Sequence, residues 1–113
     1  MKKYSETHEY AIIDEKIATI GISINAADEL GDITFIELPE VGKEVKSGDV
    51  LCTLESVKSA GDVYTPLTGK VIEVNKALEE KPELMNDDPE DEGWICKIEF
   101  SAKEEIDNLK DSD

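Results

Sequence analysis

The stretch Glu55-Ser56-Val57-Lys58-Ser59-Ala60-Gly61-Asp62 places one lysine in a short turn of small residues between two strand-like runs. The run Val50–Leu54 before it is apolar and partly β-branched, and Asp62–Thr65 after it returns to strand composition. Gly61 offers a backbone conformation that residues with a side chain resist. We therefore predict a β-hairpin with Lys58 at its tip, and a scaffold for that turn in the rest of the chain.

Length and charge limit what the chain can be. Its 113 residues suit one domain with one core, spanning residues 1–113. The formal net charge is −16, from 12 Lys and Arg against 28 Asp and Glu, so nucleic acid and anionic membrane surfaces are excluded as partners. The 39% of hydrophobic residues is gathered into strand-like blocks, which favours a folded chain over a disordered one.

The cysteines and the N-terminal residues indicate the compartment. Cys52 and Cys96 each lie in an apolar run and form no C-x-x-C unit, so we predict two buried free thiols and a reducing compartment. The polar residues Tyr4–Glu9 stand where a signal peptide would be apolar, and no run is long enough to span a membrane. We expect a cytoplasmic protein, or one of the mitochondrial matrix in a eukaryote.

Short strands with frequent turns dominate the first part of the chain. Tyr10–Ile13 and Ile17–Ile22 predict a hairpin with a charged turn between them. Asn25–Gly31 predicts a short helix capped by its asparagine and ended by its glycine, and Ile33–Leu38 predicts a strand. Further short β segments follow in Val41–Val50. This pattern indicates a mainly β sandwich or barrel-like fold.

The last third of the chain is more polar. Ala77–Glu92 is acidic and broken by prolines, so we predict a long surface loop with one helical turn after Pro82. Trp94–Phe100 alternates as a closing strand. Ser101–Glu104 has the capping-box pattern, which predicts a C-terminal helix that frays through residues 111–113.

One acidic stretch imitates a calcium-binding loop. Positions 1, 3, 5, 6 and 12 of that pattern are matched by Asp88, Glu90, Glu92, Gly93 and Glu99. Proline stands at position 2, glutamates replace the shorter residues preferred at positions 3 and 5, and the flanks lack the two helices. We predict a solvated acidic loop and no metal site.

Residues for catalysis are few, so we predict that the chain is not an enzyme. His8 is the sole histidine and no nucleophile motif accompanies it. A nucleophilic lysine acts as the neutral amine, whereas the neighbours Glu55 and Asp62 would stabilise the ammonium form of Lys58. The residues alone leave two interpretations of Lys58, an ordinary solvated lysine or a lysine presented to another enzyme.

A series of short stretches, in this order and spacing, extends over almost the whole chain. They are Thr7–Tyr10, Ala18–Ile22, Leu30–Ile33, Glu37–Gly42, Glu55–Ala60, Pro66–Gly69, Val71–Asn75, Pro82–Asn86 with Asp88-Pro89, and Gly93-Trp94. Together they resemble the H-protein family of the glycine cleavage system. Val57 and Ser59 beside the lysine separate the chain from biotin carriers, which typically have methionine on both sides.

The resemblance implies a barrel-sandwich hybrid with short helices and with lipoate attached to Lys58 by an amide bond. It also implies a lipoate ligase or lipoyl transferase as the attaching enzyme. As a carrier, the chain would take an aminomethyl group from glycine decarboxylase to the tetrahydrofolate-dependent aminomethyltransferase, and dihydrolipoamide dehydrogenase would reoxidise the arm. We expect a monomer.

The resemblance further implies a cleft for the loaded arm, lined by Thr7, Glu9 and Asp62, in which a carboxylate could hold the cationic amine. The chain departs from the family pattern at Tyr10, where tryptophan is usual, and at Gly61, where a bulkier polar residue is frequent. A paralogue that relays lipoate without serving glycine cleavage is therefore an alternative.

Overall fold

In the computed structural model, which describes residues 1–113, antiparallel strands form two sheets. The strands are β1 (Lys2–Tyr4), β2 (Glu9–Asp14), β3 (Ile17–Ile22), β4 (Ile33–Glu37), β5 (Glu44–Val45), β6 (Val50–Ser56), β7 (Ala60–Tyr64), β8 (Gly69–Val74) and β9 (Cys96–Phe100). One sheet has the order β1-β2-β3-β9-β8-β5, and the other has the order β4-β6-β7. The predicted mainly β architecture is confirmed.

The helices are short: α1 (Ile24–Leu30), α2 (Ala77–Glu80), α3 (Leu84–Asp87) and a 3₁₀ helix at Lys103–Asn108. None is long and apolar enough to cross a membrane. The core joins both sheets, because Ile20, Val71 and Ile98 of the larger sheet belong to the same buried cluster as Leu54 and Val63 of the smaller one. Burial of these side chains is the main favourable term for holding the two sheets together.

The first hairpin is as predicted. Strands β2 and β3 pair from Glu9↔Ile22 to Asp14↔Ile17, and the charged turn lies between them. Tyr10 is fully buried opposite Gly21, and a Cβ on Gly21 would lie 2.5 Å from the tyrosine oxygen. The glycine therefore makes room for the ring, whose hydroxyl donates to the Pro89 carbonyl at 2.9 Å.

Helix α1 has a different cap from the predicted one. The Oγ of buried Ser23 accepts from the Ala26 amide at 3.1 Å, whereas Asn25 lies within the first turn. The prediction of Asn25 as the cap was therefore wrong by two positions, although both residue types are good caps. The helix ends at Gly31 as predicted, with φ +74° and an amide that donates to the Ala27 carbonyl at 3.1 Å.

The prediction of a surface loop at Ala77–Glu92 was wrong in part. The segment forms α2 and α3, and their side chains Leu78 and Met85 are fully buried. These two apolar residues, spaced along an otherwise polar segment, belong to the core cluster, while Glu79, Glu80, Glu83 and Asp87 stay exposed. One helical turn after Pro82 was correctly predicted, as α3.

Glu90, in the stretch that imitates a calcium loop, is bonded to protein groups rather than solvated. Its carboxylate forms an ion pair with Lys2, accepts from the Tyr4 hydroxyl at 2.6 Å and accepts from the Ile24 amide at 2.9 Å. Burial opposes the charged form, but these donors prevail and hold the pKa of Glu90 below its usual value. The carboxylate thus ties β1 to the first residue of α1.

The C-terminal segment is helical but is not capped as expected. The 3₁₀ helix begins after Ala102, which makes no side-chain cap, and the amide of Ser101 donates to the Thr68 carbonyl at 3.0 Å. The helix ends at Asn108, before residues 111–113, where we predicted fraying. Tyr4 and Lys110 exchange two backbone hydrogen bonds of 2.8 Å, so Lys110 forms an isolated β-bridge with the edge strand β1.

Gly69 gives a test of how closely the larger sheet is packed. A Cβ at this position would lie 2.3 Å from the Glu99 carbonyl oxygen and 2.6 Å from Ile98 Cγ2. We expect Gly69→Ala to lower the free energy of unfolding by about 1–3 kcal/mol, because the backbone of β9 must move. Urea denaturation measures this change.

The control is Gly61→Ala, because the nearest atoms to a Cβ there are ordinary contacts at 3.8 Å. We expect it to alter the free energy of unfolding by less than about 0.5 kcal/mol. Equal losses in the two variants would contradict the packing argument.

Candidate functional site

Lys58 lies at the tip of the hairpin formed by β6 and β7, as predicted. The last pair of the ladder is Glu55↔Ala60, and Ser56 closes the turn beyond it. The Ser56 hydroxyl accepts from the amides of Lys58 at 3.3 Å and Ser59 at 3.2 Å, and donates to the Ser59 carbonyl at 3.1 Å. The Ser56 side chain thus supplies hydrogen-bond partners for the backbone of a turn that is exposed to solvent.

The role expected for Gly61 was wrong. The glycines with left-handed backbone conformations are Gly31, Gly42 and Gly48, and Gly61 lies within strand β7. Because Ser56 closes the turn through its side chain, no left-handed glycine is needed there.

The connection between α1 and β4 lies against the lysine turn. The Val57 amide donates to the Asp32 carbonyl at 2.9 Å. A Cβ on Gly31 would lie 3.3 Å from Lys58 Cε, so the lysine stem passes over this glycine. Lys58 is exposed, and the lysines that form ion pairs in the protein are Lys2, Lys3 and Lys97.

A cleft of about 280 Å³ lies beside the hairpin, between α1, β7 and the residues before β2. Thr7, Glu9 and Asp62 all line it, so the structure brings the three predicted cleft residues together. Its other lining residues are His8, Ile22, Ala26, Glu29, Leu30, Leu54, Gly61 and Val63. The cleft therefore has an apolar wall and a set of carboxylates at its polar side.

Glu9 is the buried polar group of the cleft, with 3% of its surface exposed. Its carboxylate accepts from the Ser5 hydroxyl at 2.6 Å, from the Thr7 hydroxyl, and from the Tyr64 amide at 3.1 Å. Burial raises the pKa of Glu9, and this effect outweighs the opposing effect of the three donors. Thr7, by contrast, is exposed and reaches the cleft through its bond to Glu9.

Two polar side chains of the cleft, those of Glu29 and His8, were not predicted from the sequence. Glu29 follows Ala26 by three positions and precedes Leu30, so the helical period places these three residues on one face of α1. This periodicity could have identified Glu29 as a cleft residue. His8 has a left-handed backbone with φ +68°, and nothing in the sequence indicates this. Its Nδ1 lies 2.7 Å from the Asp113 carboxylate.

Asp113 connects the tail to this side of the cleft. Burial opposes its charged form, but the nearby side chains of Ser23, His8 and Asn25 favour it and lower the pKa of its carboxyl. The tail therefore contacts His8 and lies beside the start of α1, which is a wall of the cleft.

The cysteines are buried free thiols, as predicted. Burial raises the pKa of Cys52 to about 12 and also raises the pKa of Cys96. Since the thiolate is the reactive form, neither residue is chemically active near neutral pH.

The pKa of Glu9 predicts a specific dependence of stability on pH. Above about pH 4.5, the ordinary value for Glu, the unfolded chain loses this proton while the folded protein retains it. Stability falls with rising pH wherever the folded state binds more protons. We therefore expect the free energy of unfolding, relative to Glu9→Gln, to fall as the pH rises from 4.5 through the raised pKa of Glu9.

Urea denaturation of both proteins between about pH 4 and pH 7 measures this difference. The exposed neighbour Glu6 provides the control, because Glu6→Gln should follow the pH profile of the parent protein. Parallel profiles for the parent and Glu9→Gln would contradict the assignment.

Comparison with known proteins gives a consistent result. The sequence model of the Glycine cleavage H-protein family matches residues 2–113. The glycine cleavage system H protein of Thermotoga maritima is 53% identical over 111 residues, covering 98% of this chain and 90% of that protein. That of Symbiobacterium thermophilum is 50% identical over 110 residues, covering 97% and 86%.

A solved structure supports the same relationship. The crystal structure of a glycine cleavage system H protein from Mycobacterium marinum matches with a TM-score of 0.85 at 32% identity, over 89% of this chain and 84% of that one. The barrel-sandwich fold expected from the resemblance is confirmed by this match. With the family match over nearly the whole chain, the conclusion is that this chain belongs to the glycine cleavage H-protein family.

Proposed function

We propose that this chain is the lipoyl carrier of a glycine cleavage system and that Lys58 is its attachment site. The observation that carries the proposal is the exposed Lys58 at a closed hairpin tip beside a cleft, in a chain of the H-protein family. Both the carrier role and the residue assignments come from the family resemblance, and the geometry of the hairpin and the cleft supports the assignments.

Lys58 suits amide formation with a carboxylic acid. The reaction removes the ammonium charge, and Lys58 takes part in no ion pair that this loss would break. Its stem lies over Gly31, where no side chain obstructs it. The turn stays fixed by Ser56 and by the bond from Val57 to Asp32, so the arm would have a rigid origin and a mobile end.

The cleft suits an apolar arm that carries a cation. When attached, lipoate supplies a disulfide that can accept a one-carbon amine unit together with two electrons. Leu30, Leu54 and Val63 offer the apolar wall, which excludes water. The carboxylates of Glu9 and Asp62 offer acceptors for an ammonium group, and such charge-assisted bonds are stronger than neutral ones.

The partners follow from this role. We propose glycine decarboxylase, the aminomethyltransferase and dihydrolipoamide dehydrogenase as the enzymes that the arm visits, and a lipoate ligase or lipoyl transferase as the enzyme that attaches it. The chain itself is a substrate of these enzymes. A tether on a rigid turn raises the effective concentration of the arm at a docked active site, which is what a carrier requires.

Intact-protein mass spectrometry tests the attachment site. After incubation with a lipoate ligase, ATP and lipoate, we expect the intact protein to gain one lipoyl group and Lys58→Arg to gain none. Lys70→Arg is the control, because this exposed lysine follows Gly69 in a strand rather than in a turn. An adduct on Lys70, or no adduct on the parent protein, would refute the assignment.

The reaction is tested by isotope exchange. With glycine, labelled bicarbonate and glycine decarboxylase, we expect the lipoylated protein to support label exchange into glycine, and Lys58→Arg treated in the same way to support none. Normal lipoylation without exchange would instead favour a lipoate-relay paralogue.

A further inference from the structure

The side-chain amide of Asn86, on α3, forms hydrogen bonds through both its oxygen and its nitrogen to one short connection of the backbone. Its Oδ1 accepts from the Ile33 amide at 2.8 Å, and its Nδ2 donates to the Gly31 carbonyl at 2.8 Å. These bonds span residues 31–33, the connection between α1 and β4, which we call the bracket. Asn86 therefore fixes the bracket at both of its ends.

The opposite side of the bracket holds the lysine turn. Its middle residue, Asp32, accepts the hydrogen bond from the Val57 amide at 2.9 Å. Its first residue, Gly31, lies beneath the lysine stem, because a Cβ built on Gly31 would be 3.3 Å from Lys58 Cε. One connection of three residues thus lies between Asn86 and the turn that presents Lys58.

The bracket depends on Asn86 for its conformation. Gly31 is left-handed, with φ +74°, and glycine gains many alternative conformations when it is released. The side-chain hydrogen bonds that the bracket receives all come from Asn86. Without them, the bracket would be held by the end of α1 and by the pairing of Ile33 with Ser56 in the sheet.

Helix α3 is itself firmly placed, so it can act as a fixed support. Met85, next to Asn86, is fully buried. Gly93 packs so closely on this helix that a Cβ there would lie 2.7 Å from the Leu84 carbonyl oxygen. The Gly93 amide also donates to the Asp88 carbonyl at 2.8 Å.

We infer that Asn86 is a positioning residue for the modification of Lys58, acting through the bracket on the direction and mobility of the lysine turn. The inference rests on the proposed attachment of lipoate to Lys58. An enzyme that modifies this lysine must receive its amine in one geometry, and a displacement of about 1 Å can reduce a rate by up to about 100-fold. Release of the bracket lowers the fraction of time in which the turn has that geometry.

The test compares Asn86→Ala with Glu105→Ala. Glu105 is a matched control, because its carboxylate also makes two hydrogen bonds, accepting from the Thr68 amide and the Thr68 hydroxyl at 2.7 Å each, but it has no hydrogen bond to the bracket or to α3. The measurements are kcat/KM for lipoylation by a purified lipoate ligase, with the carrier as the varied substrate, and the hydrogen-exchange rate of the Val57 amide.

We expect Asn86→Ala to lower kcat/KM by about tenfold and to speed exchange at Val57 by a similar factor, consistent with loss of a positioning contact. Glu105→Ala should destabilise the protein while leaving both measurements near those of the parent. Parental values for Asn86→Ala, or equal losses in Glu105→Ala, would overturn the inference.

A second variant keeps the test decisive if Asn86→Ala does not fold. Asn86→Asp retains an acceptor for the Ile33 amide but loses the donor to the Gly31 carbonyl, so intermediate values are expected. Parental kcat/KM and parental exchange in this variant would overturn the inference. A parent protein that gains no lipoyl group would refute the proposed attachment instead, and exchange at Val57 would still test the bracket.

Discussion

The carboxylate of Glu9 joins the two sheets at the point where the cleft forms. It belongs to β2 of the larger sheet, and it accepts from the Tyr64 amide of β7, which is an edge of the smaller sheet. The hydroxyls of Ser5 and Thr7 complete its set of donors. Burial of a charge is tolerated only when such donors replace water, so the residues before β2 must fold over it. This requirement gives the cleft its third wall.

The site combines a backbone held by hydrogen bonds with an exposed lysine side chain. Ser56 and the bracket hold the backbone of the turn, whereas the Lys58 side chain stays exposed and free of ion pairs. Helix α3 supports the bracket from behind, so a segment with the composition of a surface loop contributes to the position of the lysine. The polar residues outside the core are therefore part of the arrangement that presents Lys58.

Local patterns sufficed for the parts of the fold that depend on neighbours in sequence. The β2–β3 hairpin, the end of α1 at Gly31 and the lysine at a hairpin tip were all predicted from adjacent residues. The sequence analysis chose Asn25 as the cap, whereas Ser23 is the cap in the structure; both residues have the right chemistry, and the surrounding fold decides between them. Thr7, Glu9 and Asp62 were expected only through the family resemblance.

The remaining features depend on partners far along the chain. The Tyr64 amide that Glu9 binds is 55 positions away, and the Tyr4 hydroxyl that Glu90 binds is 86 positions away. The periodicity of a sequence does not indicate which distant residues will form a hydrogen bond. The same applies to the burial of Leu78 and Met85, which needs the sheets already in place.

The pairing of Tyr4 with Lys110 has a consequence for the order of folding. Contacts between residues so distant in sequence form slowly, because nearly the whole chain must close into a loop before they stabilise anything. The tail therefore joins β1 late in folding and belongs to the parts of the native protein that open most easily, whereas β1 itself forms a local antiparallel pair with β2. Opening of the tail separates Asp113 from the His8 side chain while the lysine hairpin stays folded, so this rim of the cleft loses a contact without any change in the turn that presents Lys58.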